Sequence, residues 1–237
     1  MAGAVLSLVL LAPQPAAAQA AKVAASTIPR TLDGKPDLNG VWERPYSPDM
    51  SRNGKDSVGA GPLPYTPEYA AMFKAYDPAK FDYTGNCLPQ GHTRQINSPF
   101  PLRIVQTPQT VAFLYEAWMT FEIVPVGAQH KKDPDPLWAG EHVGRWDGDT
   151  FVVDTIGFND KTNLDTVGHP HSDALHTIER FTRVDDKHIA YELTVEDKKA
   201  FTQPWKNTRT FTLRPDWEIM EYSCEENNKD AREGHIK

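Results

Sequence analysis

The sequence predicts a mostly all-β protein, an antiparallel meander that forms a lipocalin-like β-barrel or a sandwich. From Leu102 onward the chain consists of short runs of β-branched and aromatic residues, separated by turn residues. No helical pattern stands between these runs, so neighbouring strands are expected to pair directly. The 237 residues, 39% of them hydrophobic, suffice for one domain with a sizeable core.

The first residues, MAGAVLSLVLLAPQPAAAQA, predict a secretory signal peptide over residues 1–20. The apolar stretch Ala4–Ala12 is too short to span a bilayer. Small residues follow in an A-x-A arrangement at Ala16–Ala18, which indicates cleavage after Ala18 or Ala20. We therefore expect a periplasmic or secreted protein, and no later stretch reaches the ~18 apolar residues of a membrane span.

Residues 21–101 are rich in Pro, Gly, Asp and Ser and predict an extended segment packed on the barrel. One short strand is expected at Val41–Arg44. The segment TPEYAAMFKAYDP predicts one short helix near residues 67–76, because Thr66 can cap it, Pro67 suits its first turn and Pro78 ends it.

Residues 102–228 form the predicted antiparallel β domain, and a polar tail follows at 229–237. Turn residues separate the predicted strands. The eight strand-like runs are LRIVQ (102–106), TVAFLYEAW (110–118), MTFEIVPV (119–126), TFVVDTIGF (150–158), HTIERFTRV (176–184), HIAYELTVED (188–197), TRTFTLRP (208–215) and EIMEYSC (218–224). Between two strand-like stretches, RWDGDTF favours a two-residue hairpin at Asp147–Gly148.

The segment RVDDKHI predicts a second tight turn, at Asp186–Lys187. This turn sets the register of two strands and places His176 opposite Asp197, with Arg180 on the same face. Because side chains alternate along a strand, these three residues would share the inward, apolar face, while Glu179 would point to solvent. Buried polar groups need partners, so the register predicts an inward polar cluster at one end of the barrel.

This cluster predicts an acid/base site. His171 or His176 would be the general base and acid, Asp160 or Asp173 would orient the imidazole, and Arg180 would hold an anionic group. The protein would then be a lyase, isomerase or hydrolase without a cofactor, acting on a small, partly apolar molecule. The predicted substrate-binding residues are Trp146, Asn159, Asp165, Tyr191 and Asp197.

Several alternatives use the same residues. A non-catalytic periplasmic ligand-binding protein would use the same pocket without turnover, and an envelope-assembly or interaction module would need no pocket. The polar residues could also form a structural network. In a metal-dependent enzyme, His169, His171 and His176 would bind zinc or iron. Against the metal, Ala174 and Leu175 stand where the cupin pattern has a carboxylate after its second histidine.

The net charge limits the class of binding partner, and the cysteine content predicts a disulfide. The formal net charge is −7 and no basic cluster is evident, which argues against nucleic-acid binding and leaves a small molecule as the expected partner.

Cys87 and Cys224 are the two cysteines, and in an oxidising compartment they predict a disulfide; two buried thiols are the alternative. No P-loop, dinucleotide or nucleophile-elbow motif is present. The sequence carries no indication of oligomeric state.

Four segments resemble a family of exported bacterial proteins of unassigned function. They are PDLNGVW, IVQTPQTVAFLYE, GEHVGRWDGDTFVVDTIGFNDKTNLD and GHPHSDALHTIERFTRVD. The family reads PDLxGVW, EIVQTPxxVxxLYE, GHSxGRWEGDTLVVDTxGFND and PHSExLHxxERxxR, and the likeness covers most of residues 36–228. This chain departs at Glu141–His142, where the pattern has His-Ser, and at Glu225, where many members have His. The resemblance implies export and no particular activity. A looser likeness to lipocalin-like barrels rests on Gly40-Val41-Trp42.

Overall fold

The structure is a computed structural model that describes residues 28–59, 61–226 and 228–229. The predicted signal peptide and all but the first residue of the predicted polar tail lie outside these ranges. The predicted fold class is confirmed: the chain is mostly antiparallel β and forms a nearly closed, lipocalin-like barrel. Its strands are β1 Gly40–Glu43, β2 Ser57–Gly59, β3 Leu102–Gln106, β4 Thr110–Tyr115, β5 Thr120–Pro125, β6 Glu141–Asp147, β7 Thr150–Ile156, β8 Leu175–Arg183, β9 His188–Asp197 and β10 Trp205–Leu213.

The strands follow the order β5-β4-β3-β1-β10-β9-β8-β7-β6, with β2 beside β10. β1 pairs with both β3 and β10, so the wall is hydrogen-bonded in antiparallel pairs from β5 round to β6. Between β5 and β6 the described residues form one bridge, Val126 to Gly144, and the Gly127 amide donates to the Gly144 carbonyl at 2.7 Å. We call this weakly bonded gap between β5 and β6 the seam.

The described ranges also contain three short α-helices. They are α1 Pro67–Ala75, α2 Pro78–Phe81 and α3 His92–Asn97, with 3₁₀ turns at Tyr83–Asn86 and Ala117–Met119. The predicted helix is confirmed as α1, with Thr66 at its N-cap and Pro67 in its first turn. None of these helices is long and apolar enough to cross a membrane.

The segment before residue 102 does more than pack on the barrel, because it supplies β1 and β2 to the wall. At the other end, the expected strand at 218–224 is wrong: those residues have no strand pairing. The predicted hairpin between β6 and β7 is present. Its two loop residues are Gly148 and Asp149, one position later than predicted.

The predicted register of β8 and β9 is wrong by one residue. Leu175 pairs with Asp197, and His176 pairs with Glu196. The cause is the turn: the Val184 amide donates to the His188 carbonyl at 3.0 Å, and the Asp185 side chain accepts from the Lys187 amide. A one-residue shift turns every β8 side chain to the other face.

Inward side chains divide the barrel interior into two halves. One half is apolar and largely aromatic, which gives the barrel its core. It contains Trp42, Ile104, Phe113, Val124, Phe151, Phe181, Ile189 and Phe211. The other half is polar and receives α3, the helix expected from sequence to be loop. All six residues of α3 are buried, and the Ile96 carbonyl accepts from Arg209 of β10. Polar groups buried this deeply define the region in which to look for a site.

Candidate functional site

Eight polar side chains meet inside the barrel around α3. We call them the interior cluster: Arg44, His92, Tyr115, Glu122, His142, Glu179, Tyr191 and Arg209. They come from α3, from the end of β1 and from six different strands, and none is more than 9% exposed. Burial of so many ionisable groups is costly unless each finds a partner or serves a ligand.

His92 lies between two carboxylates. Its Nδ1 is 2.8 Å from Oε1 of Glu122, and its Nε2 is 3.0 Å from Oε2 of Glu179, a contact without hydrogen-bond geometry. The free oxygen of each carboxylate accepts from a tyrosine hydroxyl: Tyr115 donates to Glu122 at 3.0 Å, and Tyr191 donates to Glu179 at 2.7 Å. The result is a nearly symmetric chain with His92 at its centre.

Burial and neighbouring charges shift the pKa values of this chain in opposite directions. Burial alone would lower the pKa of His92, but the charges of Glu122 and Glu179 raise it well above its usual value. Burial alone would raise the pKa of Glu122, but His92 and His142 lower it to about 2. The protonated form of His92 beside ionised Glu122 is therefore favoured near neutral pH.

His142 differs from His92, because burial lowers its pKa and keeps its ring neutral at pH 7. Its Nδ1 is 2.9 Å from the hydroxyl of Thr155, and Nε2 has no hydrogen-bond partner among the described residues. The potential ligating atoms of His92, Glu122 and His142 all lie within 4.8 Å of one another. Two imidazoles and one carboxylate at this spacing match the donor set of open metal sites.

Arg44 and Arg209 are 2% and 3% exposed, and neither forms an ion pair with a described residue. Arg44 donates to the Gln95 and Phe100 carbonyls, while its Nε has no partner within the described ranges. Arg209 donates to the Ile96 carbonyl at 3.2 Å, and in the same part of the chain its Nε and Nη2 find no acceptor. Burial lowers the pKa of Arg44 to about 10 and also lowers that of Arg209.

Arg183 shows what a satisfied buried arginine looks like in the same barrel. Like Arg209 it is 3% exposed, and its guanidinium lies over the ring of Trp42. All three of its guanidinium nitrogens donate to backbone carbonyls, namely those of Asp37, Asp185 and Asp186. The unpaired donors of Arg44 and Arg209 are therefore specific to the interior cluster.

A cavity of ≈ 40 Å³ leads from the seam to Glu122. Its walls include Thr120 and Phe121 of β5, Trp138 and Ala139 just before β6, and the start of α3. The cavity thus lies beside the gap between β5 and β6 and has Glu122 among its lining residues. A larger groove of ≈ 750 Å³ lies on the surface beside α2 and Cys224, and it contacts no member of the interior cluster.

The structure does not bring the predicted catalytic residues together. His176 and Arg180 lie on the outer face of β8: His176 contacts Asp154 at 3.0 Å and Glu196 at 3.1 Å, and Arg180 contacts Asp147. The placement of His176 and Arg180 inside the barrel is therefore wrong, for the register reason given above. Asp173 is exposed beside Lys199, and Asp160 is exposed in the loop after β7.

His169 and His171 are buried rather than exposed, but apart from the interior cluster. His169 Nδ1 is 2.7 Å from Asp165, whose carboxylate also accepts from the Met50 amide. His171 Nε2 is 2.6 Å from the Thr162 hydroxyl, and its Nδ1 lies 2.9 Å from the Ser172 carbonyl. With His176 on the outer face, the structure does not form the three-histidine metal site.

The predicted substrate-binding residues also lie in different parts of the structure. Tyr191 belongs to the interior cluster, as its inward position predicted. Asp197 points inward but is used by the loop before β8, where it accepts from the Ser172 amide and hydroxyl at 2.7 Å. Trp146 packs on Phe151 at the apolar end, and Asn159 caps its own loop through the Lys161 amide.

Sequence reasoning missed the interior residues His92, Glu122, His142 and Glu179. One signal was present in the segment MTFEIVPV. Side chains alternate along a strand, so Glu122 shares a face with Val124, and this alternation alone predicts an inward carboxylate. His92 gave no such signal, because α3 lies in a segment typical of loops.

No protein-family model matches the chain, and no curated protein matches it. The assignment of function therefore rests on the geometry of the interior cluster.

Proposed function

We propose that the protein is an exported β-barrel that binds a small anionic molecule in its interior. The observation that carries this proposal is a pair of buried arginines, Arg44 and Arg209, that form no ion pair with a carboxylate of the described residues. Leaving a buried donor without an acceptor costs about 1–3 kcal/mol, and more when the group is charged. A ligand that accepts those hydrogen bonds recovers this free energy on binding.

A carboxylate or phosphate suits this position best. A guanidinium presents its N–H groups as a planar fork that matches two oxygens of an anion. The partnerless nitrogens are Nε of Arg44 and Nε and Nη2 of Arg209, so both side chains offer donors.

The seam supports entry from the side. Its cavity of ≈ 40 Å³ has room for little more than one or two waters, so a larger ligand requires β5 and the Trp138–Ala139 segment to separate. Among the described residues the backbone pairing between the β5 and β6 sides is limited to the Val126–Gly144 bridge and the Gly127–Gly144 hydrogen bond, which makes this the easiest part of the wall to open.

Calorimetric titration with malonate, benzoate and inorganic phosphate tests the proposal. We expect at least one of these anions to bind wild type and to lose tenfold or more in affinity in Arg209→Met. Arg183→Met is the matched control, since Arg183 is equally buried but fully hydrogen-bonded. Absence of binding by all three anions, or equal binding by wild type and Arg209→Met, would overturn the proposal.

Catalysis on the bound anion is a second candidate, and it retains the predicted lyase, isomerase or hydrolase chemistry with different residues. Glu122 faces the seam cavity and lies 2.8 Å from His92, so a carboxylate and an imidazole stand beside the proposed ligand. Deuterium exchange of the malonate methylene protons, followed by NMR, tests it. Catalysis predicts faster exchange with wild type than with Glu122→Gln; equal rates would reject it.

A further inference from the structure

We infer that His92, Glu122 and His142 bind a divalent transition-metal ion at the inner end of the seam. This inference goes beyond anion binding and stands on different residues. It starts from the geometry of three buried side chains whose potential ligating atoms all lie within 4.8 Å of one another. A bound ion at that centre would displace the proton that His92 and Glu122 share and would draw the three ligands to the roughly 2.0–2.2 Å typical of nitrogen and oxygen ligands.

Each of the three side chains is already oriented by a further residue. Thr155 holds Nδ1 of His142 and leaves Nε2 free, and Tyr115 holds Oε2 of Glu122 and leaves Oε1 towards His92. The charge of Glu179 lies 3.0 Å from Nε2 of His92, while Nδ1 of the same ring is 2.8 Å from Oε1 of Glu122. Outer partners of this kind fix the ring orientation and tautomer of metal ligands in proteins.

The surroundings suit an open coordination sphere. A cavity of ≈ 40 Å³ adjoins Glu122, which gives room for a water beside one of the three ligands. Three protein ligands with at least one position left for water is the arrangement of catalytic rather than structural metal sites. The unpaired donors of Arg44 and Arg209 belong to the same interior cluster, which would let an anion bind metal and arginine together.

A second group of potential ligands, Asp49, Asp165 and His169, fits a metal less well. Its oxygens are already used: Asp165 accepts from Met50 and His169, and Asp49 pairs with Arg52 and accepts from Ser51. This group also has a single imidazole, and its Asp49 is only partly buried and is ion-paired with Arg52 at 2.9 Å. The first group is fully buried and offers two imidazoles, so we assign the metal to it alone.

The donor set selects the class of metal. Two imidazoles and one carboxylate favour Zn²⁺, Fe²⁺ or Co²⁺ over Mg²⁺ and Ca²⁺, which prefer all-oxygen sites. Both cysteines of the chain are in a disulfide, so no thiolate competes for the ion.

The test is a titration of chelator-treated protein, purified without a histidine tag, with Zn²⁺ and with Co²⁺. We expect one ion per chain, a higher Tm with metal, and the strong visible absorption of Co²⁺ with fewer than six ligands. Affinity should fall at least 100-fold in Glu122→Gln and in His142→Ser. Serine is smaller than histidine and keeps a hydroxyl near that of Thr155, so we expect that variant to fold.

Matched controls separate this site from others. Glu116 is a buried carboxylate outside the cluster, and His171 is a buried histidine held by a threonine hydroxyl. Glu116→Gln, His171→Ser and Asp165→Asn should bind Zn²⁺ as wild type does. The inference is overturned if wild type binds no ion, if bound Co²⁺ shows the spectrum of the hydrated ion, or if His142→Ser retains affinity that Asp165→Asn loses. Arg209→Met should keep the metal, which separates this test from that of anion binding.

Discussion

His176 of β8 pairs with Glu196 of β9, and its ring contacts Asp154 of β7 on the outer surface of the barrel. This pairing fixes which side chains enter the interior. With it, Glu179 faces His92; with the register that places His176 opposite Asp197, Glu179 would face solvent. The interior cluster therefore depends on a single residue of register.

Thiol labelling checks this register. Thr177 is fully buried and Ile178 is partly exposed, and the native cysteines are in a disulfide, so each new cysteine would be the reactive thiol. We expect Ile178→Cys to react with a maleimide in the native protein, and Thr177→Cys to react only after unfolding. Fast labelling of Thr177→Cys together with protection of Ile178→Cys would support the alternative register.

The outer pair His176–Asp154 predicts a pH-dependent stability. The hydrogen bond to Asp154 raises the pKa of His176, so its stabilisation is full below the unfolded pKa of about 6.5 and is lost as pH rises through the folded value. His176→Gln should cost up to about 1 kcal/mol at pH 6 and less at pH 9, since the pair is partly exposed. Urea unfolding at both pH values measures this.

Arg180→Gln is the control for this pH effect, because Arg180 contacts Asp147 on the same outer face and the substitution removes no imidazole. Its cost should not change between pH 6 and pH 9. A cost of His176→Gln that grows towards pH 9 would contradict the assigned role of His176.

Gly91, which precedes α3, should resist substitution. It has φ of +82°, and a Cβ there would lie 2.7 Å from the Thr162 side chain, which holds His171. Gly91→Ala should therefore cost more than the roughly 1 kcal/mol expected of backbone strain alone. Gly34 has φ of +79° with nothing near its Cβ position, so Gly34→Ala measures the strain alone. Equal losses of unfolding free energy in the two variants would contradict the packing argument.

The disulfide Cys87–Cys224, predicted from sequence and present in the structure, ties the end of the chain to the segment before α3. It joins residues 137 apart, and its loss should cost about 2–5 kcal/mol. The double variant Cys87→Ser/Cys224→Ser, compared with wild type by urea unfolding, tests this. An unchanged midpoint would show that the bond adds no stability. Disulfides are typical of proteins outside the cytoplasm, which supports the proposed export.

The strands were predictable because β-branched and aromatic runs alternate with turn residues, and one helix was predictable from Thr66 and Pro67 at its start. The register of β8 and β9 could not be predicted, because RVDDKHI is compatible with two turns. The choice between them depends on the Asp185 side chain, which accepts from the His188 amide. The interior cluster was even harder to predict from the sequence. It joins His92, from a loop-like segment, to Glu122 and Glu179 from distant strands, and only the closed barrel brings these residues together.

The stability of Arg209→Met without any ligand tests the central claim most directly, namely that Arg209 is retained for an anion. Replacing an unpaired buried charge with an apolar side chain of similar size should leave the free energy of unfolding unchanged or raise it by about 1–3 kcal/mol. Arg183→Met, which removes a fully bonded guanidinium, should lower it by roughly 2–4 kcal/mol. If urea unfolding shows Arg209→Met to be as destabilised as Arg183→Met, then Arg209 serves the fold and the proposed anion site is contradicted.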